Sequence, residues 1–477
     1  MLPDVDSLRQ LELLDRRSFV RLLDFVLNPK LIKIELSECI VGKSGPQACV
    51  ESIDVENLCG ICGLQDRDKC LRLFLLVDQA VSIMPRCLVN KIRRYLSAGF
   101  VNDIWDILYD WCSKVLENIE FVKVLKSRDL KAEDDFKQHI LLVVPSEKHF
   151  RKIRHDPDTW LWRSVAYDGS SAPSAIGWFR DVERIVQALS REGVRATVFV
   201  DDGLSNLAED LRYVPRCDVK IVDIPEDVPK ICYVRDPSIT ILGKPLLCNM
   251  VLDLRRGEEE VMSELYTSLQ YEPLLRVRWG IVDGRLERAF IEGGNIFLIR
   301  TEEETLLLSG IGIRGTNYAA VKFLAEVLPE DVRIILIPIV SYIRDWEKGA
   351  VHLDVAFAYI GAAKGLKLCL IDSSRVCIYS ALEYDREKQQ FKIIELLRLF
   401  KELDIHVDEP PADDKVSRVT MLNFLNLGNG KIIADKYNHT INKYLEKEYG
   451  IDVIEVEIPQ IEAGGGGVRC ATRDIWI

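Results

Sequence analysis

Long apolar runs are missing from this 477-residue chain. Its most hydrophobic stretches, such as "RLFLLV" and "RIILIPIV", fall far short of the roughly 20 residues that a bilayer-spanning helix needs. The start, "MLPDVDSLRQLELLDRRSF", lacks the charged-then-apolar pattern of an export leader, so a cytoplasmic location is expected. Low-complexity sequence is absent too. There is no excess of basic residues: 63 Lys and Arg face 75 Asp and Glu, a formal net charge of −12, with pI near 5.3. That balance argues against a nucleic-acid or anionic-membrane surface.

What is present suits a globular enzyme. Apolar residues make up 48% of the chain, ample for a core, and the length exceeds that of one usual domain. The 13 cysteines, with no leader, imply a reducing compartment where thiols are free, metal-bound or catalytic. Up to about residue 130 the apolar spacing is helical, as in "SLRQLELLDRRSFVRLLDFVL" and "VNDIWDILYDWCSKVLENIEFV". Residues 36–70 between them are less regular and rich in cysteine, and 127–138 reads as a linker or solvated helix. The expected division is a mostly helical domain over 1–130 and a catalytic domain over 131–477.

The second region alternates strand and helix. "HILLVVP", "RATVFVD", "VRIILIPI", "LKLCLI", "RVTMLNF" and "IDVIEVEI" read as strands, and 257–270, 316–327, 387–402 and 439–448 as helices. Similar units in succession predict an α/β fold.

Four strings carry the chemistry: "YVRDPSI", "FIEGGNIF", "VHLDVAF" and the terminal "GGGGVRCAT". Each sets a charged or nucleophilic residue beside apolar, strand-like sequence, and alone each has an ordinary explanation as a turn, an edge strand or a buried thiol. Together, Cys470, His352 and three carboxylates (Asp236, Glu292 and Asp354) are suited to attack on a carbon that carries positive charge. On a strand, His352 and Asp354 would point the same way. Carboxylates near a cysteine raise its pKa, which makes sense if the substrate brings the cation.

In this order, Arg-Asp-Pro, Glu-Gly-Gly-Asn, His-Leu-Asp and a glycine-rich segment into a near-terminal cysteine, the strings resemble the guanidino-group modifying superfamily, and most of all arginine deiminase. The resemblance implies a five-bladed α/β propeller. It also implies that Asp236 and Asp354 bind the guanidinium, that Glu292 adds a third carboxylate contact, and that Cys470 attacks. His352 would protonate departing ammonia and then activate water. Arg255 or Arg256, with Arg314, would hold the substrate's carboxylate. No cofactor or metal is implied. The partner expected is a small guanidino molecule, with no nucleic acid or membrane, and association into a homo-oligomer stays open.

The pattern departs from the family at three places. Lys230 stands where an asparagine is usual, Gly464–Gly467 replace a loop arginine while Arg469 adjoins the cysteine, and the helical region precedes the catalytic part. Cys49, Cys59, Cys62 and Cys70, with Cys39 upstream, contain one C-x-x-C pair. Without a second pair, a disulfide or buried thiols are favoured over zinc or an iron–sulfur cluster. The expected reaction is deimination of free arginine to citrulline and ammonia. The alternatives are transfer of the amidino group to an amine, action on agmatine or another guanidino compound, and a catalytically silent binding protein. Further hydrolysis to ornithine is disfavoured by Asp236, where such relatives tend to carry asparagine.

Overall fold

From residue 139 onward one pattern recurs five times: two antiparallel strands, a helix, and a third strand parallel to the second. The computed structural model describes residues 2–27, 35–36, 41–42, 45–46, 51–53, 55–155, 173–252, 255–282, 285–312, 315–339, 350–363, 365–411 and 420–476. In the first unit, His139–Val144 runs parallel to Arg195–Asp201 beyond the helix Ala175–Arg191. Its antiparallel partner is the last strand of the chain, Arg473–Ile475. The second unit is Ser238–Ile239, Leu246–Leu247, the helix Glu258–Ser268 and Leu275–Arg276.

The third is Ile296–Arg300, Thr305–Ile311, the helix Tyr318–Val327 and Val332–Pro338. Phe357–Ala363, Leu366–Ile371, Leu396–Glu402 and Ile405–Asp408 make the fourth. Leu425–Gly428, Lys431–Asp435, His439–Tyr444 and Asp452–Val456 make the fifth. The fold class is therefore α/β, in separate small sheets.

The sequence makes these elements for ordinary reasons. All six residues of His139–Val144 are buried, so it reads as a continuous apolar run, as strands covered on both faces do. The helix Ala175–Arg191 is capped by the Ser174 hydroxyl, which accepts from the Gly177 amide, and it turns Trp178, Val182, Ile185 and Leu189 inward.

Two expectations need correction. The single helix over 387–402 is instead a hairpin, Ala381–Asp385 with Gln390–Ile394, followed by the short helix Leu396–Glu402. Gln389 adopts φ +52° at that turn, and "FKII" then favours the extended state. Of the strand expected in "RVTMLNF", Arg418 and Val419 lie outside the described residues, and 420–424 are turn and loop leading into a strand at Leu425, because turns place Asn423 where its side chain bonds the site described below.

The helices Val5–Leu13, Arg16–Leu27, Val55–Cys62, Arg67–Ile83, Arg86–Ala98 and Val101–Val124 fill the N-terminal region. From Cys70 to Ile83 nearly every residue of the fourth is buried. It shares one apolar cluster with the units: Phe74 packs edge-on to Trp279, with ring centroids 6.1 Å apart. The Gln79 amide clasps the backbone of Arg276, donating to its carbonyl at 2.7 Å and accepting from its N–H at 2.9 Å. Ile53 pairs with Leu286, so an N-terminal strand extends the hairpin Trp279–Val282 and Arg285–Arg288.

Residues 131–137 are no solvated linker. Their amides donate to Ile241, Leu298 and Leu427, which stand in the second, third and fifth units. Their backbone is tied into three units of the fold, although most of their side chains are only partly buried and Phe136 is exposed.

Cys59, Cys62 and Cys70 carry free thiols, so no disulfide links them. They lie near one another: burial and the neighbouring Cys70 thiol push Cys59 up to about 12. Cys39 and Cys49 lie outside the described residues.

Candidate active site

Each site residue sits in the loop that leads into the first strand of a unit. Asp236 precedes Ser238–Ile239, Glu292 precedes Ile296–Arg300, His352 and Asp354 precede Phe357–Ala363, and Cys470 precedes Arg473–Ile475. Asn423 takes the same place before Leu425–Gly428. Repetition of the fold thus brings one loop from each unit to a common centre. Glu292 and Asp354 are fully buried, and His352 and Cys470 are 5% exposed.

Cys470 Sγ lies 3.8 Å from Asp354 Oδ2. Asn423 ties these two loops together, its Oδ1 accepting from the Cys470 amide at 3.0 Å and its Nδ2 donating to the Asp354 carbonyl at 3.1 Å. The four glycines before the cysteine answer to close packing. Gly465 has φ +91°, the left-handed region. A Cβ on Gly466 would lie 2.3 Å from the Tyr233 ring and 3.0 Å from the Cys470 Cβ.

His352 stands between two carboxylates, with Nε2 in a short contact with Glu292 Oε2 and Nδ1 3.4 Å from Asp236 Oδ1. Asp236 Oδ1 also accepts from the Gly294 amide at 3.1 Å. The sequence suggested that His352 and Asp354 share a strand face. Instead a tight turn at Leu353–Val355 intervenes, and the two side chains diverge, His352 to Glu292 and Asp236 and Asp354 to Arg469 and Cys470.

Both aspartates already clasp guanidinium groups of the protein. Arg255 Nη1 donates to Asp236 Oδ2 at 2.6 Å, and its Nε and Nη2 bond Glu258. Arg469 Nη1 donates to Asp354 Oδ2 at 2.9 Å, its other nitrogens reach Glu133 and the Ile296 carbonyl, and its plane lies 4.2 Å from the Phe297 ring centre. Asp354 Oδ1, also buried, has no donor among the described residues.

These contacts set the charges. Burial, reinforced by Asp354 and Asp236, pushes the Cys470 thiol well above its usual value, so it rests protonated. Burial also raises Asp354, against the pull of Arg469 and His352. For Asp236, burial is outweighed by His352 and Arg255, which hold it below the usual carboxylate range. For His352, burial is outweighed by Asp236 and Glu292, and its pKa rises. Below the unfolded value of about 6.5 His352 is charged in both states, so its contribution to stability is full there and is lost as pH climbs through the higher folded value. The stability gap between the parent and His352→Gln is therefore expected to narrow as pH rises from 6 to 9. Parallel urea titrations measure it, and a gap that widens would contradict the assigned charge.

A cavity of about 30 Å³ opens here, bounded by Cys470, His352, Asp236, Arg255, Lys230 and the Gly464–Gly465 backbone among others. Arg255 is thus the member of the arginine pair that reaches this site. Arg256 lines a different cavity, and Arg314 lies outside the described residues. Three participants were not foreseen as such: Glu133, Asn423 and the clasp made by Arg469. Only Arg469, adjoining the cysteine, left a trace in the sequence. Among the described residues no helix is long and apolar enough to cross a membrane, and no group of three or more His, Cys, Asp and Glu is arranged to hold a metal ion.

Comparison with known proteins gives the family: the chain belongs to the arginine deiminase family, whose model matches residues 187–476. It is 28% identical over 276 residues to the uncharacterised protein YkgA of Bacillus subtilis, covering 58% of this chain and 79% of that one. With the arginine deiminase of Borrelia duttonii it shares 25% over 262 residues, 52% of this chain and 61% of that protein. Among solved structures, a dimethylarginine dimethylaminohydrolase in adduct with S-methyl-L-thiocitrulline aligns at TM-score 0.42 and 15% identity, covering 72% of this chain and 100% of that one. The amidinotransferase SxtG of Microseira wollei aligns at 0.44 and 14%, covering 73% and 97%.

Proposed function

We propose that this protein hydrolyses free arginine to citrulline and ammonia through a covalent adduct on Cys470, with the five units arranged as blades of a propeller around that residue. The observation that carries the proposal is the buried Asp354 Oδ1, which has no donor among the described residues, on the carboxylate whose Oδ2 lies 3.8 Å from Cys470 Sγ. A guanidinium N–H bound there brings its central carbon beside sulfur. Asp236, which already accepts from Arg255, offers the second carboxylate, and charge-assisted contacts of this kind are the strong ones.

The resting thiol needs a cation to ionise, and the substrate brings it. Cys470 releases its proton to solvent as the guanidinium binds, and the thiolate attacks the central carbon to give a tetrahedral adduct. His352, protonated between Asp236 and Glu292, donates to the nitrogen that leaves as ammonia. Neutral His352 then takes a proton from water, the hydroxide adds to the same carbon, and sulfur departs to leave citrulline. Water and guanidinium thus become a ureido group and ammonium, with Cys470 restored.

The cavity holds about one water-sized group, so an arginine enters only if Arg255 swings off Asp236. Once released, Arg255 and the buried Lys230 are the cations placed to meet an α-carboxylate. The test is product analysis: the purified chain given arginine alone is expected to release citrulline and ammonia in equal amounts. Turnover only after glycine or ornithine is added would make it an amidinotransferase. Ornithine with excess ammonia would make it a dihydrolase, and faster turnover of agmatine would remove the carboxylate from recognition.

A further inference from the structure

Glu258 is fully buried, and the reaction proposed above gives it no task. It is the first residue of the helix Glu258–Ser268. Its carboxylate accepts from Arg255 Nε at 2.9 and 3.0 Å and from Nη2 at 2.6 Å. Asp236 accepts from Arg255 through a different nitrogen, Nη1, at 2.6 Å. Arg255 therefore bridges two buried anions, of which Asp236 borders the cavity beside Cys470.

The two anions are placed for different duties. Asp236 faces the cavity and is open to competition from any guanidinium that enters it. Glu258 stands at an anchored helix start: the next two residues, Glu259 and Glu260, grip Arg276, whose backbone Gln79 clasps from the N-terminal helices. Leaving Asp236 takes one contact from Arg255 and keeps those to Glu258. Moving a buried guanidinium with no second anion at hand would strand its charge, the expensive case.

We propose that Glu258 is a positioning residue acting through Arg255: it retains the Arg255 guanidinium while a substrate guanidinium takes Asp236, and so sets how readily the site opens. This rests on the function proposed above. Because the competition is for Asp236, Glu258 governs affinity for guanidino compounds whatever their far end carries. Without the charge at position 258, Arg255 clings to Asp236 and keeps the site shut.

Calorimetric titration of arginine and of agmatine into the full Cys470→Ala chain measures this without turnover. At pH 8 Glu258, pushed up to about 7 by burial, is ionised. Adding Glu258→Gln is expected to weaken both compounds at least tenfold. Adding Arg255→Gln as well should bring agmatine back to within threefold of the Cys470→Ala chain, because nothing then contests Asp236. A merely structural defect would not be mended by a second substitution. In the chain that keeps Cys470, Glu258→Gln should raise KM for arginine at least tenfold and leave kcat within threefold. Unchanged affinity, a loss confined to arginine, a fall in kcat as large as the rise in KM, or a double variant as weak as the single one overturns the proposal. Should Glu258→Gln fail to fold, Glu258→Asp keeps the charge and shortens its reach; it should weaken both compounds threefold or more, and no change overturns the proposal. Binding of neither compound to the Cys470→Ala chain overturns this role and the proposed function together. The expected binding pattern, in a protein whose unmodified chain never turns over arginine, overturns the proposed function and leaves the role of Glu258 standing.

Discussion

Cys470→Ser is expected to fold like the parent and to lose turnover of arginine by about four orders of magnitude or more. Burial and two aspartates already hold the thiol well above its usual pKa. A hydroxyl in that place is far harder to ionise, and nothing within the cavity compensates for the difference. Ammonia release at saturating arginine measures the loss, and the melting temperature shows whether the fold survives. Turnover within tenfold of the parent would take Cys470 out of the reaction. Mass spectrometry supplies the positive evidence: in His352→Ala, where hydrolysis is slowed, the adduct should accumulate on Cys470.

The largest effect on stability is expected at Arg469. Its guanidinium compensates two buried carboxylates at once, Glu133 and Asp354, and also donates to the Ile296 carbonyl. Arg469→Ala leaves both carboxylates without their main cation, and breaking a buried ion pair from one side costs about 3–5 kcal/mol. Urea unfolding is expected to show a loss of that size at pH 8. Glu133 is held below its usual range despite burial, chiefly by Arg469 and Lys137, so its share of stability is present above the unfolded value and falls as pH drops through the folded one. Without Arg469 both carboxylates should protonate more readily, so the deficit should shrink toward pH 5. A loss under about 1 kcal/mol, or one independent of pH, would mean that the clasp contributes little.

Much of this was legible because chemistry leaves local marks. Asp236, Glu292, His352, Asp354 and Cys470 each stand in a distinctive short string, and the strand–helix rhythm is written in apolar spacing. What escaped was non-local. Asn423 sits in an apolar run that reads as strand, and only the folded chain shows its side chain spanning the Cys470 amide and the Asp354 carbonyl. Glu133 lies in a polar stretch that resembles a solvated linker, yet its partner Arg469 is 336 residues away. The turn at Leu353–Val355 is a tertiary override of an alternating pattern. It separates His352 from Asp354 so that one faces carboxylates and the other faces sulfur.

The pairing of Arg473–Ile475 with His139–Val144 gives the protein a particular course of biosynthesis. A ribosome delivers the strand His139–Val144 more than three hundred residues ahead of its antiparallel partner, so the first unit waits with one edge bare while the other four are made. Such an edge invites wrong partners. Cys470 emerges only three residues before the strand that covers that edge, so the cysteine and the closing strand reach the fold together. A chain released early by a premature stop at residue 469 has neither.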